Sequence, residues 1–565
     1  MLSIRKIGVV GRTYRHLNRY RQILTILFKY GYGNLVERLK IEQYLEIGLQ
    51  LISRKRRERL ERLSRYQRLR MAFEELGPTF IKLAQVLSSR PDLVPVPLLA
   101  ELAKLQDKVP PCSFEEARGV LEEELGAPLE DVYDDFNPVP LASASIGQVY
   151  QARLKNGDSV AVKVQRPGIR KIVEVDLEIM LHLATLMERH IEEMAFHRPV
   201  KVVEEFAKAL EKELDYLTEA GNGERFARNF LTDPKIYIPA VYRSATTSKV
   251  LTMEFVDGIK ISDVDAMLAA GVDPHIVVNR GADCILKQIF EHGFFHSDPH
   301  PGNLFVLPEN VICLLDFGQV GSIDQKTKED FVDLVDCVVN RRPGLATRVL
   351  LRLSLWDEEP DLRQLEKDVD EFMNQHLFVP LKDIRMGKLL QDLLELAAQH
   401  RMRIQPDLFL MMKALGTIEG IGALLHPDFD MISQAEPFIR KVKLNRYNPR
   451  RLLQDLFQTA VDLKHFSQQF PQDVLEITRL LRQKKLPIRL EHHGLPDLLA
   501  THDQISNRIA FAIIIAALII GSALIVVSDT PPLFYGISLI GIIGFLAAAI
   551  MGFWLLIAIL RKGKL

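Results

Sequence analysis

Residues 295–318 read FHSDPHPGNLFVLPENVICLLDFG, and this stretch decides the fold. An H-x-D-x-x-x-x-N motif places Asp298 five residues before Asn303, and the apolar segment Val311–Leu315 leads directly into the D-F-G triplet that begins at Asp316. A carboxylate at Asp298 can orient a hydroxyl nucleophile or accept its proton. Asn303 and Asp316 offer the hard oxygen ligands that Mg²⁺ prefers when it bridges phosphates. The stretch therefore predicts a site for phosphoryl chemistry.

Two further motifs precede this stretch. The small-residue segment LASASIGQV, residues 141–149, lies between predicted strands, where a turn without bulky side chains lets backbone N–H groups approach a phosphate. A hairpin is predicted next, with strands Val149–Leu154 and Ser159–Gln165 joined by a tight primed turn at Asn156-Gly157. Lys163 stands in an apolar strand, where an ammonium group requires an anionic partner. The V-A-V-K sequence matches the strand whose lysine holds nucleotide phosphates.

The order of these motifs predicts an α+β, bilobal, protein-kinase-like fold. The small lobe is predicted to be β-rich with one long helical insertion and two later strands, Ile236–Tyr242 and Lys249–Phe255. The predicted domains are a basic helical segment at 1–70, a helical extension at 71–135, the small lobe at 136–257, a helical lobe at 258–500 and a membrane segment at 501–565.

The chain departs from a conventional protein kinase at two points. The small-residue loop replaces the usual G-x-G-x-x-G. After the D-F-G triplet, Gln319–Ile323 leads straight into a predicted helix over Asp324–Val339, with no A-P-E and no long activation segment. That segment ordinarily builds the platform for peptide substrates. The sequence therefore favours a small-molecule kinase or an ATPase.

At this level of detail the chain resembles the UbiB family of atypical kinases, membrane-associated proteins tied to ubiquinone biosynthesis. The resemblance covers roughly residues 20–560. It rests on GPTFIKLAQ at 77–85, the alanine-rich loop at 141–149, Val162-Lys163, ELDY at 213–216, EAGN at 219–222, and the H-x-D-x-x-x-x-N and D-F-G motifs.

The resemblance implies ATP and Mg²⁺ as ligands and a role for each motif. Lys163 would hold the phosphates, with either Glu213 or Glu219 as its helix partner. Asp298 would be the catalytic carboxylate, and Asn303 and Asp316 would bind Mg²⁺. The remaining implied ATP contacts are the hinge residues Glu254 and Val256 and the loop residues Ala142, Ser143, Ala144, Ser145, Ile146, Gly147, Gln148 and Val149.

The family's K-x-G-Q motif is thought to fold over the active site and exclude peptides. Here it reads Lys82-Leu83-Ala84-Gln85, so Ala84 stands where glycine is usual. If that glycine requires a positive φ or a close approach, Ala84 is predicted to be a mild defect. Lys82, Gln85 and Asp215 are the implied regulatory residues. A plain amphipathic helix is the alternative interpretation of this segment.

The C-terminus predicts a membrane hairpin. Ile509–Val527 is an uncharged run of 19 residues, long enough to cross a hydrocarbon core of about 30 Å, and Leu533–Leu560 is a second uncharged run. The break SDTPP at 528–532 contains no Lys or Arg, whereas Arg508 and Arg561 flank the pair. The positive-inside rule then places the body in the cytoplasm. A buried hairpin of a soluble core is the alternative.

The N-terminal segment is strongly basic. Residues 1–70 contain 18 basic and 5 acidic residues, a net charge of +13 in a chain whose net charge is −1. Leu17, Tyr20, Leu24, Leu27 and Phe28 follow helical spacing, which favours an amphipathic helix that meets anionic lipid headgroups. A helix packed on the body and a mitochondrial transit peptide are the alternatives. Nothing matches a nucleic-acid-reading motif, and the four scattered cysteines predict neither a disulfide framework nor a zinc site.

These features lead to a functional hypothesis with two alternatives. The protein is predicted to be an ATPase or small-molecule kinase that supports ubiquinone biosynthesis, with quinone-biosynthesis enzymes or isoprenoid lipid intermediates as partners. A bacterial inner membrane is favoured over the mitochondrial inner membrane. A protein kinase that regulates a biosynthetic enzyme and a nucleotide-binding scaffold with little turnover remain open.

Overall fold

The computed structural model describes residues 14–39, 63–88, 96–102, 104–105, 111–191, 198–356, 359–377, 386–446, single positions between 449 and 470, 495–528, 531–534 and 537–562. The chain divides into two units, Met1–Leu453 and Gln454–Leu565. Much of the predicted basic segment, including residues 1–13 and 40–62, lies outside the described residues.

A helical layer begins the first unit. Its helices are α1 (Tyr14–Lys29), α2 (Gly33–Arg38), α3 (Arg65–Leu76), α4 (Pro78–Ser88) and α5 (Val96–Leu102). Ser64 and Gln67 form a capping box that starts α3, each side chain accepting a hydrogen bond from the other residue's backbone N–H. The apolar side of α1 is buried inside the protein, with Ile23 1% and Leu24 3% exposed. The helix packed on the body is thus the correct alternative for α1, because its apolar face is already covered.

The small lobe is an antiparallel sheet with a helix on one face. Its opening elements are α6 (Phe114–Leu125), α7 (Leu129–Val132), β1 (Tyr133–Phe136), β2 (Ala142–Ser143), β3 (Gly147–Leu154) and β4 (Ser159–Gln165). With β6 (Val250–Glu254) they give the strand order β1-β3-β4-β6, and β2 pairs with β3. Ala117 and Leu121 of α6 pack on this sheet. The lobe therefore draws on residues well before the predicted start at 136.

The predicted hairpin forms, but its turn is of another type. Strands β3 and β4 pair in the register that sets Val149 opposite Lys163. The Gly157 N–H donates to the Leu154 carbonyl at 2.9 Å. Gly157 has φ of +91°, whereas Asn156 keeps a negative φ. Both primed two-residue turns require a positive φ at the first central residue, which would be Asn156, so the prediction of that turn type was wrong.

The insertion between β4 and β6 also differs from its prediction. It is three helices rather than one, α8 (Ile169–His190), α9 (Pro199–Glu213) and α10 (Tyr216–Asn229). The predicted strand Ile236–Tyr242 shortens to β5 (Ile236–Tyr237), which pairs in parallel with a strand of the large lobe. Apolar spacing alone did not reveal which sheet β5 would join.

The large lobe combines short strands with a thick helical layer. Its strands are β7 (Ile259–Lys260), β8 (Phe294–His296), β9 (Leu304–Leu307), β10 (Val311–Leu314), β11 (Val320–Ser322), β12 (Ser354–Leu355) and β13 (Arg403–Ile404). Its helices are α11 (Val264–Ala269), α12 (Pro274–Leu286), α13 (Gln325–Val339), α14 (Pro343–Leu353), α15 (Leu362–Leu377), α16 (Met386–Gln399), α17 (Pro406–Leu425) and α18 (Met431–Arg446). One sheet has the order β5-β10-β9-β7, and β11 pairs with β8. These pairings place the two motifs of residues 295–318 side by side.

Helix α17 is long and apolar enough to cross a membrane, but 56% of its most apolar window is buried inside the lobe. Leu408, Met411, Leu415 and Ile418 contribute to the main hydrophobic core. It is therefore the central helix of the large lobe.

The second unit contains the C-terminal helical pair, α19 (Leu495–Val527) and α20 (Leu539–Lys562), which contact one another. Between them lie β14 (Leu533–Phe534) and β15 (Ile537–Ser538), so the second predicted span starts at Leu539 rather than Leu533. Gly541 and Gly544 approach α19 at Ser522, where a larger residue would collide. The segment Arg508–Val527 is only 6% buried. Length and composition make this pair a candidate for membrane insertion.

Candidate functional site

The centre of the cleft is an ion pair between a strand and a helix of the small lobe. The Nζ atom of Lys163, on β4, lies 2.8 Å and 2.9 Å from the two carboxylate oxygens of Glu219, on α10. The same ammonium lies 3.8 Å from Oδ2 of Asp316 and 5.3 Å from the centre of the Tyr216 ring. Strand alternation points Lys163 to this face because its neighbours Val162 and Val164 fill the core behind it. Lys163 therefore joins the sheet, α10 and the D-F-G triplet.

Helix α10 also holds the D-F-G triplet. The side-chain amide of Asn222 donates to the carbonyl of Phe317 at 3.0 Å. The Phe317 ring is buried against Phe226, with ring centres 5.3 Å apart, and it fills the space beside Gly223. These contacts fix Phe317 inward and leave Asp316 facing Lys163.

Asp316 occupies an unusual backbone position. Its φ is +58°, in the left-handed region, and its Oδ1 accepts a hydrogen bond from the Gly318 N–H at 3.0 Å. Desolvation alone would raise the pKa of Asp316, but Lys163, the Gly318 N–H, His296 and Lys82 together hold it well below its ordinary value. Asp316 is thus an anion across the neutral pH range.

The charges of the central pair respond to burial and to each other. Burial would lower the pKa of Lys163, but the Asp316 and Glu219 carboxylates raise it well above its ordinary value. Burial raises the pKa of Glu219 to about 7, with Lys163 opposing and Asp316 reinforcing the rise. The pair therefore combines a permanent cation with a carboxylate that titrates near neutrality.

The catalytic loop is held by a buried histidine. Burial lowers the pKa of His296, so the ring is neutral near pH 7. Its Nδ1 accepts from the Asp298 N–H at 3.1 Å, which assigns the proton to Nε2, 3.4 Å from the Leu315 carbonyl. This single ring ties the loop to the residue that precedes the D-F-G triplet.

The side chains of Asn303 and Asp316 fit a Mg²⁺ ion whose remaining ligands would be phosphate oxygens and water. The Leu315 N–H donates to the Asn303 carbonyl at 2.9 Å, which brings the two residues to the same place. The amide nitrogen of Asn303 faces the Asp298 carbonyl at 3.4 Å, so its amide oxygen is the available ligand. Among the described residues no cluster of three or more His, Cys, Asp or Glu side chains forms a complete metal cage. Mg²⁺ commonly completes its shell with phosphate oxygens and water.

The small-residue loop lies at the edge of this cleft, between β2 and β3. The Ala144 N–H donates to the Gly147 carbonyl at 2.8 Å, and the Arg166 guanidinium donates to the Ala144 carbonyl at 2.9 Å. A side chain at Gly147 would strike the Tyr216 hydroxyl and the Val164 carbonyl. The buried hydroxyls of Ser145 and Tyr216 have no hydrogen-bond partner among the described residues. Unsatisfied donors in this position suit a phosphate group.

Not every residue of the loop faces the cleft. Ala142 and Ser143 form β2, and Ile146 is buried. Val149 pairs with Lys163 across the sheet, so its side chain lies on the same face as that of Lys163. Gln148 is buried on the other face, where it accepts from the Cys112 N–H at 2.7 Å and donates to the Tyr150 hydroxyl at 3.0 Å. Its side chain is thus committed to the lobe, and a contact between Gln148 and a nucleotide stays a prediction.

The segment with the K-x-A-Q sequence is helix α4, and it lies beside the cleft. Lys82 is buried and pairs with Glu213 at 2.5 Å. The prediction left Glu213 and Glu219 open as partners of Lys163, and the structure assigns Glu219, while Glu213 belongs to Lys82. Ala84 is fully buried within the helix. Its backbone is helical rather than left-handed, so a requirement for positive φ does not apply at Ala84.

The other predicted residues have local structural partners. Asp215 caps α10, accepting from the Leu217 N–H at 3.1 Å. Glu254 ends β6 and accepts from the Tyr237 hydroxyl at 2.6 Å, and Val256 follows in the connection to the large lobe. Gln85 lies on α4, three residues after Lys82.

One charged residue at the site was not predicted. The Nζ atom of Lys413, in the middle of α17, lies 3.2 Å from Oδ1 of Asp298. A signal was present in the sequence, because Lys413 stands within the apolar run LFLMMKALG. The same argument that singled out Lys163, a lysine in an apolar element, applies to it.

A two-lobed fold with a strand lysine, a helix glutamate, an H-x-D-x-x-x-x-N loop and a D-F-G triplet defines the protein-kinase-like class. Comparison with family models agrees. Residues 104–344 match the ABC1 atypical kinase-like domain, residues 369–430 the UbiB helical domain, and residues 493–561 the ABC1/UbiB kinase-like C-terminal domain.

Curated relatives extend the match along the chain. A Clostridium pasteurianum protein named "Uncharacterized protein in hydrogenase 1 5'region" is 32% identical over 547 residues, which is 97% of this chain and 99% of the relative. A "Probable protein kinase UbiB" of Marinobacter nauticus is 38% identical over 399 residues, covering 70% and 73% of the two chains. The solved complex of Rv3197 with erythromycin from Mycobacterium tuberculosis aligns at 23% identity with a TM-score of 0.46, covering 63% of this chain and 90% of that one. The chain belongs to the ABC1/UbiB family of atypical kinase-like proteins.

Proposed function

We propose that this protein binds MgATP in the cleft and either hydrolyses it or transfers its γ-phosphoryl group to a small hydroxyl-bearing molecule, in support of ubiquinone biosynthesis. The observation that carries the proposal is the Lys163–Glu219 ion pair beside Asp316. In phosphoryl-transfer enzymes of this class a lysine and helix glutamate of this kind must be in place for catalysis. The printed names of the UbiB relatives supply the link to kinase activity and, through that family, to quinone biosynthesis.

Each side chain has a distinct task in this proposal. Lys163 binds the phosphates, and Asn303 and Asp316 would hold Mg²⁺, which would neutralise phosphate charge. Asp298 orients the attacking hydroxyl. In hydrolysis, the water oxygen bonds to the γ-phosphorus as the bond to the β–γ bridging oxygen breaks. The electron pair leaves with ADP, and the water proton passes to Asp298.

The surroundings of the cleft support a small acceptor rather than a peptide. Only Gln319 separates the D-F-G triplet from β11 (Val320–Ser322), and α13 begins at Gln325, so the described chain has no long segment for docking a peptide. Lys82 on α4 lies close enough to Asp316 to lower its pKa. This proximity supports the proposal that the helix carrying Lys82 restricts access of a peptide to the cleft.

The C-terminal pair supports a membrane location for this chemistry. We propose that α19 and α20 cross a bacterial inner membrane as a two-pass hairpin with the catalytic unit in the cytoplasm. Arg508 and Arg561 at the outer ends favour that orientation and suit anionic lipid headgroups. Isoprenoid quinone precursors reside in the same membrane, which makes them, or the enzymes that modify them, the proposed partners.

The test compares two substitutions in the detergent-solubilised full chain. Asp298→Asn is expected to reduce ATP hydrolysis by about 10²-fold or more while MgATP still raises the melting temperature, because Asp298 acts on the nucleophile. Asp316→Asn is expected to abolish the MgATP-induced rise, because it removes the charged metal ligand. Asparagine also tolerates a left-handed backbone, so the second variant isolates charge.

The same variants are then expressed in a quinone-deficient strain lacking its own family member. Neither is expected to restore quinone levels. Full rescue by Asp298→Asn would reject turnover and favour a nucleotide-binding scaffold. If MgATP leaves the melting temperature of the wild-type protein unchanged, the proposal of a nucleotide site is rejected.

A further inference from the structure

Lys413 approaches the catalytic carboxylate from a rigid element. Its Nζ atom lies 3.2 Å from Oδ1 of Asp298, and each side chain is 30% exposed. The adjacent residues Met412 and Ala414 are buried in the core of the large lobe. Because α17 is anchored on both sides of Lys413, the lysine is delivered to the cleft by packing rather than by a mobile loop.

The ion pair has little to do with stability. Partly exposed lysine–carboxylate pairs contribute little to the free energy of unfolding, because water screens their charges and the two side chains lose conformational freedom. An uncharged residue at this position of an apolar core helix would stabilise the fold at least as well. The presence of a lysine here points to the chemistry of the cleft.

The catalytic loop itself offers no cation for the transferred phosphoryl group. Between Asp298 and Asn303 the sequence is PHPG, without Lys or Arg. The ring of His300 accepts from the Gly302 N–H at 2.9 Å, which turns its Nδ1 into the loop. Among the described cleft lysines, Lys163 contacts Glu219 and Lys82 contacts Glu213. Among the residues that the structure describes, Lys413 is the lysine whose ammonium group contacts Asp298.

We propose that Lys413 is a catalytic residue whose ammonium group stabilises the transferred phosphoryl group. In the free protein it pairs with Asp298. When the nucleotide is bound, the flexible lysine side chain contacts the γ-phosphoryl oxygens, and Asp298 is released to accept the nucleophile's proton. This inference rests on the proposed function, because it requires phosphoryl transfer from ATP at this site.

The step is a single displacement with its charges accounted for. The acceptor oxygen bonds to the γ-phosphorus, the bond to the bridging oxygen breaks, and the electron pair departs with ADP. The acceptor proton passes to Asp298. Negative charge on the transferred group is balanced by the Lys413 ammonium on the side of the acceptor.

The first experiment measures steady-state ATP hydrolysis by solubilised full-length variants. Lys413→Met is expected to lower kcat by about 10²-fold, the usual cost of removing one charge-stabilising donor, with KM for ATP changed by less than about threefold. Lys413→Arg is expected to recover most of the rate. Lys441→Met is the matched control, because Lys441 forms an ion pair of the same kind with Glu291 in the same lobe, and its hydrolysis rate should be unchanged.

The second experiment reads binding without turnover. Aluminium fluoride added to MgADP mimics the transferred phosphoryl group and should raise the melting temperature of the wild type beyond MgADP alone. Lys413→Met is expected to keep the MgADP response and to lose the additional rise. A variant that keeps both the additional rise and the wild-type kcat overturns the role of Lys413 while leaving the proposed function intact. A wild type that neither hydrolyses ATP nor responds to MgATP rejects the proposed function and this inference together.

Discussion

At the scale of single residues, the cleft is organised by which carboxylate each lysine meets. Glu213 and Glu219 are six positions apart, and their sequence surroundings gave no reason to prefer either as the partner of Lys163. Glu219 lies on α10 facing the strand, whereas Glu213 ends α9 facing Lys82. The choice depends on how two helices pack, which a single sequence does not encode locally. Lys413 escaped prediction for the same reason, since it lies 115 positions beyond Asp298 in a separate helix.

Glu219 gives the protein a pH response of defined sign. Its pKa in the folded state is about 7 against an ordinary value of 4.5. Between these values the unfolded chain releases the Glu219 proton while the folded protein retains it, so this residue's contribution to stability falls as pH rises. The melting temperature of Glu219→Gln relative to the wild type is expected to increase from pH 5 to pH 7 and then level off.

The matched control is Glu224→Gln on the same helix. Its hydrogen bond to Arg243 lowers the pKa of Glu224, so its contribution to stability is present above pH 4.5 and is lost only as the pH falls below that value. The difference between Glu224→Gln and the wild type should stay constant from pH 5 to pH 7, as thermal-shift curves at matched ionic strength will report. A constant difference for Glu219→Gln as well would contradict the raised pKa.

At the scale of elements, the sequence predicted the strands and loops that are specified by residues close together in the chain. The paired strands β3 and β4, although not their turn type, the strand before the D-F-G triplet and the catalytic loop formed as predicted, because apolar alternation and fixed motif spacing specify them. Elements defined by distant partners were less predictable. Strand β5 joined the large lobe because it pairs in parallel with Ile312 and Cys313 of β10, and the apolar α17 became a core helix because other helices surround it.

Helix α10 offers a prediction about packing. A side chain added at Gly223 would lie 3.1 Å from the Phe317 ring, whereas one added at Gly221 would meet only Arg243 at 3.9 Å. Gly223→Val should destabilise the protein by about 1–3 kcal/mol through overpacking and should weaken MgATP binding, because a displaced Phe317 moves Asp316. Gly221→Val should leave both properties near wild type. Equal effects of the two variants in denaturant melts and nucleotide titrations would contradict the prediction that the close contact of Gly223 with Phe317 causes them.

At the scale of the whole molecule, the proposed hairpin fixes where each part of the chain lies. The residues joining α19 and α20 should be on the outer side of the inner membrane, and the catalytic unit should be in the cytoplasm. The apolar length and flanking charges of this region were readable from the sequence. The short strands β14 and β15 that precede α20 were not, because an uncharged run does not distinguish a turn from a helix.

A cysteine at Ser528 tests this topology. Ser528→Cys is expected to react with a membrane-impermeant maleimide in intact spheroplasts. Leu231→Cys, at a position 83% exposed in the catalytic unit, is the matched control and should react only after lysis. The opposite pattern for the two variants would invert the proposed orientation.

The junction between α9 and α10 has a thermodynamic consequence. Glu213, bound to Lys82, and Glu219, bound to Lys163, lie on either side of a break that is pinned to the sheet, where Gln165 donates to the Leu214 carbonyl at 2.7 Å. If a molecule bound at α4 draws Glu213 to a new position, the affinity of Lys163 for nucleotide changes by a coupling free energy. Linkage then requires the reverse effect to be equal, so nucleotide must alter the affinity for that molecule by the same factor. Under that condition, a ligand that displaces the partner of Lys82 changes the affinity for nucleotide, and bound nucleotide changes the affinity for that ligand.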